Sequence, residues 1–110
     1  METTHYPAIL MRVITAAAEQ QPDNLDSETC IVCDPTNQHY QIVYLGWNHD
    51  RRIYTVHIHL RLVNDKIYIE RDGTPDGIAY TLINAGIPKD AIVLAFYPPY
   101  KRPLTAYASA

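Results

Sequence analysis

Residues Lys66–Tyr100, KIYIERDGTPDGIAYTLINAGIPKDAIVLAFYPPY, decide the fold, because their local signals follow one another without conflict. The stretch opens with an alternating strand pattern over Lys66–Arg71, which Asp72-Gly73 ends. The next three residues predict the start of a helix. They supply an N-cap, a proline in the first turn and an acidic residue at the positive end of the helix dipole: Thr74, Pro75 and Asp76.

The helix that follows has an apolar stripe and a glycine stop. Its apolar residues recur at helical spacing: Ile78, Ala79, Leu82 and Ile83. Gly86 suits the left-handed residue that ends many helices, and Ile87 is placed for the apolar contact that accompanies it. The apolar run Ile92–Tyr97 then predicts a short final strand.

Upstream of this stretch, the sequence predicts one helix and three strands. Thr4–Gln21 has the apolar spacing of an amphipathic helix: Tyr6, Ile9, Leu10, Val13, Ile14 and Ala17. The predicted strands are Glu28–Asp34, His39–Trp47 and Arg52–Val63. Asn64-Asp65 fits a two-residue hairpin turn into the strand Lys66–Arg71, and Gly46 is a candidate bulge.

This order of elements predicts a single α+β domain over residues 1–110. The domain has an N-terminal helix, a four-stranded antiparallel meander, a second helix, a short final strand and a proline-containing C-terminal arm, Pro98–Ala110. Both helices are expected on one face of the sheet. The arm is either disordered or ordered against this chain or a partner subunit, and the residues leave these alternatives open.

The third strand has the clearest alternation in the chain. One side of it is predicted to be buried: Tyr54, Val56, Ile58, Leu60 and Leu62. The other side is mostly polar: Ile53, Thr55, His57, His59 and Arg61. An antiparallel sheet with one wet face has this pattern.

Composition and charge narrow the class of protein. Of the 110 residues, 47% are apolar and 19% charged, which is typical of a globular domain. No apolar run reaches the length of a membrane span and no secretory signal is visible, so we expect a soluble cytoplasmic protein. The net charge is −6 over residues 1–50 and +3 over residues 51–110. Because DNA-binding proteins need clustered Lys and Arg, direct nucleic-acid binding is disfavoured.

Cys30 and Cys33 form a CxxC pair inside a predicted strand. Residues three apart in a strand point to opposite faces, so the two thiols cannot readily bridge. A redox pair would need its first cysteine at a helix N-terminus, and a zinc site would need two further ligands. We interpret both residues as small buried cysteines.

His57 and His59 form an HxH pattern on the polar face of the third strand, which also occurs in zinc and iron sites. Because the strand carries no carboxylate, packing under a loop, an arm or a partner is the simpler interpretation, and we predict no metal or cofactor. A small metalloenzyme using these two histidines stays an alternative. Glu70, Asp72 and Asp76 lie close in sequence, but turns and caps account for them. We therefore expect a protein that is not an enzyme.

Motifs in order over nearly the whole chain carry a family resemblance: Gly46-Trp47-Asn48, Arg51-Arg52-Ile53-Tyr54, His59, Lys66-Ile67-Tyr68-Ile69, Asp72-Gly73-Thr74, Gly77-Ile78-Ala79, Gly86-Ile87-Pro88-Lys89-Asp90, Ile92-Val93-Leu94, Phe96, Pro98-Pro99-Tyr100-Lys101-Arg102 and Thr105. In these motifs the chain resembles the XisI family of cyanobacterial proteins, the fdxN element excision controlling factors. It departs from the family pattern at Tyr68, where Trp is expected, and at Ala95, where Gly is expected.

The resemblance implies an accessory role in programmed excision of a DNA element, by site-specific recombination, during heterocyst differentiation. A recombinase performs the strand chemistry, and the family acts by protein–protein binding with a companion, XisH, that resembles a nuclease. The resemblance assigns no catalytic residues. We expect a homo-oligomer, with these candidate partner-binding residues: Arg51, Arg52, His57, His59, Tyr100, Lys101, Arg102 and Tyr107.

Two further alternatives stay open at the level of sequence. The chain could act as an inhibitor or immunity-like partner of the nuclease-like companion, since its acidic first half would suit a DNA mimic. It could also bind DNA through Arg51, Arg52 and the Lys101-Arg102 pair, in which case binding would weaken steeply with salt.

Overall fold

The computed structural model describes residues 5–20 and 27–110, so both ends of the predicted first helix, Thr4 and Gln21, lie outside the described residues. The helices and strands are, in order, α1 (Tyr6–Glu19), β1 (Ser27–Asp34), β2 (His39–Asn48), β3 (Arg51–Val63), β4 (Lys66–Asp72), α2 (Ile78–Asn84) and β5 (Ile92–Val93). The predicted α+β class is confirmed. No helix in this described part of the chain has the length and apolar character of a bilayer span.

The strands form one sheet in the order β1-β2-β3-β4-β5. The first four are antiparallel, as predicted, and β5 lies parallel to β4. The β3–β4 hairpin turns at Asn64 and Asp65, whose φ values of 50° and 64° are those of the predicted two-residue turn. The final strand is shorter than the predicted Ile92–Tyr97, because the chain turns at once: the Tyr97 N–H donates to the Leu94 carbonyl at 3.1 Å.

Both helices pack on one face of the sheet, which we call the helix face, and the other is the helix-free face. The apolar stripe predicted for α1 is buried along its whole length: Tyr6, Ile9, Leu10, Val13, Ile14 and Ala17. The sheet contributes Tyr40, Ile42, Ile58, Leu60, Ile67 and Ile69 to the same core. From α2 come Ile78, Ala79 and Leu82, with Ile83 partly buried.

A β-bulge in β3 changes which of its side chains face the helices. Ile58 pairs with Ile42, but Val56 pairs with Val43, so His57 is an extra residue on β3. Because side chains alternate along a strand, an extra residue reverses the alternation beyond it. His57 therefore faces the helices beside Ile58, and Val56 lies on the helix-free face.

The predicted buried face of the third strand is thus correct in one half and wrong in the other. Ile58 and Leu60 are fully buried, whereas Tyr54 is 69% exposed on the helix-free face. The prediction requires unbroken alternation along the strand, and the bulge breaks it. The bulge suggested at Gly46 is also wrong, since Gly46 pairs regularly with Ile53.

A second bulge, in β4, positions the residue whose side chain caps α2. Glu70 is the extra residue between the pairs Leu60–Ile69 and His59–Arg71. The reversal that follows places Asp72, the last residue of β4, on the helix face.

Helix α2 begins at Ile78, later than the predicted start at Pro75. Its N-cap is Gly77, with φ 88°, and the capping side chain is that of Asp72. Asp72 Oδ2 accepts the Ile78 N–H at 2.9 Å, and Oδ1 accepts the Thr74 N–H at 3.0 Å. The prediction that Thr74 caps the helix is wrong, because its hydroxyl donates to the same carboxylate instead.

The C-terminal end of α2 has the glycine stop that the sequence predicts. Gly86 has φ 107°, the Ile87 N–H donates to the Leu82 carbonyl and the Gly86 N–H to the Ile83 carbonyl, both at 3.0 Å. This pair of bonds is a Schellman motif. Ile87 is 1% exposed, so the predicted apolar contact is also present.

The arm, residues 98–110, is ordered against its own chain. A 3-10 turn covers Pro99–Leu104. Beyond it, Ala108 forms a parallel bridge with Val93, and its N–H donates to the Ile92 carbonyl at 2.8 Å. Tyr107 packs against the core. Of the alternatives that the sequence left open, order on this chain is the one observed.

Candidate partner-binding surfaces

The C-terminal end presents large apolar side chains to solvent. Phe96 is 46% exposed, Tyr97 41%, Tyr100 75% and Leu104 85%, and we call these four residues the arm surface. The Phe96 and Tyr97 rings lie 4.8 Å apart. Tyr97 and Leu104 line, with Lys101, a shallow depression of about 190 Å³. Apolar surface exposed in this way is typical of sites that bind another protein.

Of the predicted partner-binding residues in the arm, two are available to a partner and two stabilise the arm. Tyr100 and Lys101 are exposed. Arg102 holds the turn together, since its Nε donates to the Tyr97 carbonyl at 3.0 Å. Tyr107 is partly buried against the core, and the Lys89 Nζ lies 5.5 Å from the centre of its ring.

Arg51 and Arg52 lie at the far end of the β2–β3 hairpin. Both are exposed. The Arg52 guanidinium lies 5.1 Å from the centre of the Trp47 ring and donates from Nη1 to the Gly46 carbonyl at 3.3 Å. Trp47 is 55% exposed. The hairpin end is therefore a second, smaller surface on which an aromatic ring and a cation are presented together.

His57 lies on the helix face, in a cavity of about 480 Å³ between α1 and the segment that joins β4 to α2. Small residues line much of it: Ala16, Ala17, Gly73 and Gly77. The imidazole stacks on Tyr44, with ring centroids 4.8 Å apart, and its Nε2 is buried with no hydrogen-bond partner in the described structure. A Cβ on Gly73 would lie 2.5 Å from His57 Nδ1, so only glycine fits beside this ring.

Burial is the main influence on His57. It lowers the pKa of the imidazole, while the Asp72 carboxylate acts in the opposite direction and Arg71 adds to the lowering. The ring is therefore neutral near neutral pH, with one nitrogen able to accept a hydrogen bond and the other to donate.

His59 lies on the helix-free face, beside His39. The His39 Nδ1 and His59 Nε2 atoms are 2.9 Å apart, so one ring donates the hydrogen that the other accepts. Burial lowers the pKa of His59, and the nearby His39 acts in the same direction. Next to this pair, Arg61 Nε donates to Glu70 Oε2 at 2.8 Å. The result is a polar network across three strands.

The prediction that His57 and His59 share a face is wrong, and the β3 bulge is the reason. One imidazole contacts the helix side of the sheet and the other the opposite side, so the two cannot bind one metal ion. Within residues 5–20 and 27–110, no three His, Cys, Asp or Glu side chains converge in the arrangement of a metal site.

The cysteines behave largely as predicted. Cys30 pairs with Val43 and Cys33 with Tyr40, which places the two thiols on opposite faces. Both are free and half-buried rather than fully buried. Burial raises the pKa of the Cys33 thiol.

Sequence reasoning missed part of the arm surface. The predicted strand Ile92–Tyr97 places Phe96 inside the sheet, and Leu104 is not among the predicted partner-binding residues. A signal was present, because the prolines at 98 and 99 directly after an apolar run cannot continue a sheet. The apolar side chains before them are then left without a neighbouring strand.

The geometry defines the chain as a small α+β domain, with a five-stranded sheet covered by helices on one face and apolar surface exposed at its C-terminal end. The family model described as XisI protein matches residues 1–109, and the chain belongs to the XisI family. No curated protein matches it.

Two crystal structures of proteins from Anabaena variabilis ATCC 29413 are similar over almost the full length. The chain is 30% identical to a XisI-like protein, with a TM-score of 0.93 and coverage of 99% of this chain and 100% of the other. It is also 30% identical to the fdxN element excision controlling factor XisI, with a TM-score of 0.87 and 98% of each chain covered.

Proposed function

We propose that this protein is a controlling factor for the programmed excision of a DNA element by site-specific recombination during heterocyst differentiation. It acts in the cytoplasm, without catalysing the strand chemistry, by binding an XisH-like companion protein as a homo-oligomer. The recombinase is a further partner. Membership of the XisI family and the likeness to an excision controlling factor support this role.

The arm surface is the observation that carries the protein-binding part of the proposal. Two of its side chains, Tyr100 and Leu104, are 75% and 85% exposed although the segment around them is ordered. Arg102 and Tyr107 fix this segment to the domain, so the exposed residues are presented in one conformation. A preformed apolar surface loses little conformational entropy when it binds.

The charges around the arm surface favour a protein partner over DNA. Lys101 lies in the depression with Leu104 and Arg102 follows it in sequence, whereas Arg71 lies beside Phe96 together with two carboxylates, Glu70 and Asp72. Only a few cations are present, too few for the counterion release that supports DNA affinity. A few cations around an apolar centre are instead typical of a protein interface.

Co-purification tests the proposal. The tagged chain, expressed in the cyanobacterial host, is expected to recover the XisH-like companion. The double variant Tyr100→Ala/Leu104→Ala should reduce that recovery about tenfold or more, because large exposed side chains at an interface centre contribute about 1–2 kcal/mol each. Tyr80→Ala is the matched control, since Tyr80 is also an exposed tyrosine, at 67%, but lies on α2.

Two results would contradict the proposal. The first is a chain that recovers no XisH-like protein, and the second is recovery that the arm variant leaves unchanged. Assaying DNA cleavage by the companion with and without this chain separates a controlling factor from an inhibitor. Loss of cleavage on addition would favour the inhibitor.

A further inference from the structure

Strand β1 lies at one edge of the sheet and pairs there with β2 alone. Within residues 5–20 and 27–110, no strand pairs with its outer side. The other edge of the sheet is different, because the arm covers it: Ala108 bridges to Val93 of β5. Among the described residues, one edge is thus protected by the arm, and β1 presents a row of outward backbone N–H and C=O groups that no described strand pairs with.

The central residues of β1 lack the features that usually protect an edge strand. Natural edges carry charged side chains, above all lysine, or proline, a bulge or very few residues. In the sequence SETCIVCD the charges, Glu28 and Asp34, lie toward the ends, its centre has no lysine or proline, and all eight residues pair with β2 in unbroken register. Ile31 is 42% exposed and Val32 is 46% exposed. A regular apolar edge of this kind is a template for another strand.

We propose that β1 pairs antiparallel with β1 of a second copy of this chain, about a two-fold axis at Cys30. This deepens the homo-oligomer part of the proposed function and otherwise does not depend on it. A two-fold axis needs only one self-complementary surface, and an antiparallel edge strand provides one. The two sheets would join into one continuous sheet.

The backbone restricts the possible registers. Outward N–H and C=O groups recur at every second residue, so facing residues of two identical strands must both be even-numbered or both be odd-numbered. Only an axis through a residue satisfies this condition. Axes at Cys30 and Ile31 each pair seven residues within Ser27–Asp34, and axes elsewhere pair fewer.

Charge distinguishes the two long registers. An axis at Ile31 places Glu28 opposite Asp34 of the second copy, twice, and like charges directly opposite one another are destabilising. An axis at Cys30 instead places Glu28 opposite Val32 of the second copy and pairs Thr29 with Ile31. The Cys30 register therefore avoids the repulsion.

A strand edge alone is smaller than the roughly 800 Å² per partner of a standard interface, so we expect a weak dimer whose affinity depends on few contacts.

The register predicts a specific cross-link. Facing Cα atoms in an antiparallel pair lie about 4.5–5.5 Å apart, within the range that a disulfide spans. Oxidation of the dimer with diamide should therefore join Cys30 to Cys30 of the second copy. The wild type and Cys33→Ala should form the linked dimer, and Cys30→Ala should not, although it should still sediment as a dimer.

Two charge variants test the same register without a cross-link. Cys30→Lys places two lysines opposite each other and should weaken the dimer about tenfold, whereas Val32→Lys places a lysine opposite Glu28 of the second copy and should strengthen it a few-fold. Dissociation constants from sedimentation measure both effects, and far-UV circular dichroism checks that each variant folds.

Three outcomes would overturn the inference: a monomer at all concentrations, a dimer that does not cross-link through Cys30, or a dimer that neither lysine variant changes. The last two leave the proposed function intact, because self-association would then use another surface. Conversely, a wild-type chain that recovers no XisH-like companion but still forms the Cys30 cross-link would overturn the proposed function and leave this inference standing.

Discussion

At position 73, a tertiary contact with His57 restricts the residue to glycine. Its sequence context, Asp72-Gly73, indicates a turn, and glycine is common in turns for conformational reasons. The structure gives a different reason. The Gly73 N–H donates to the His57 carbonyl at 2.8 Å, and the imidazole of the same histidine occupies the space of a Cβ.

We expect Gly73→Ala to lower the free energy of unfolding by about 1–3 kcal/mol, the usual effect of forcing extra volume into a packed site. The new Cβ would lie 2.5 Å from His57 Nδ1 and 2.9 Å from the His57 carbonyl oxygen. Urea denaturation followed by circular dichroism measures the change.

The double variant His57→Ala/Gly73→Ala is the control for this mechanism. Removing the ring relieves the imidazole clash but leaves the carbonyl contact, so the Gly73→Ala effect should be smaller in the His57→Ala background. Equal effects in both backgrounds would show that the ring is not responsible.

At the scale of elements, the β4 bulge determines how the N-terminus of α2 is capped. The extra residue Glu70 turns Asp72 toward the helices, where its carboxylate accepts hydrogen bonds from Thr74 and from the first residue of α2, Ile78. A helix of this length depends on such contacts, because short helices are marginal on their own.

Asp72→Ala should therefore destabilise the domain by about 1–2 kcal/mol, since it leaves the Ile78 N–H without its acceptor. Thermal unfolding measures the effect. Asp76→Ala is the matched control, because Asp76 is exposed and was expected at the helix start but lies before Gly77. A control variant as unstable as Asp72→Ala would contradict the assignment of the cap.

At the scale of the whole molecule, the arm both completes the sheet and presents the arm surface. Tyr107 and Ala108 attach it to the domain, whereas Tyr100 and Leu104 face solvent. Stability and partner binding should therefore depend on different residues of the same short segment.

We expect Tyr107→Ala to lower the free energy of unfolding by about 1–2 kcal/mol, because the ring is partly buried against the core and Lys89. Tyr100→Ala should change it by less than about 0.5 kcal/mol, as is usual for exposed side chains. Chemical denaturation of the two variants compares them. If Tyr100→Ala were the more destabilising, the division of roles within the arm would be wrong.

The sequence by itself determined the α+β class, the order of elements, the buried stripe of α1, the β3–β4 turn and the glycine end of α2. These features depend on neighbouring residues, through side-chain periodicity, turn chemistry and capping. The family resemblance likewise rested on local motifs such as Gly86-Ile87-Pro88, and the comparisons confirm it.

Only the tertiary structure decided which face His57 occupies, where α2 begins and where the arm lies. A bulge is defined by two strands, so no alternation within β3 could show that His57 and His59 point to opposite sides. Likewise, Asp72 caps a helix six residues away because β4 and α2 are held together by the shared core, and the arm is ordered because β5 offers it an edge.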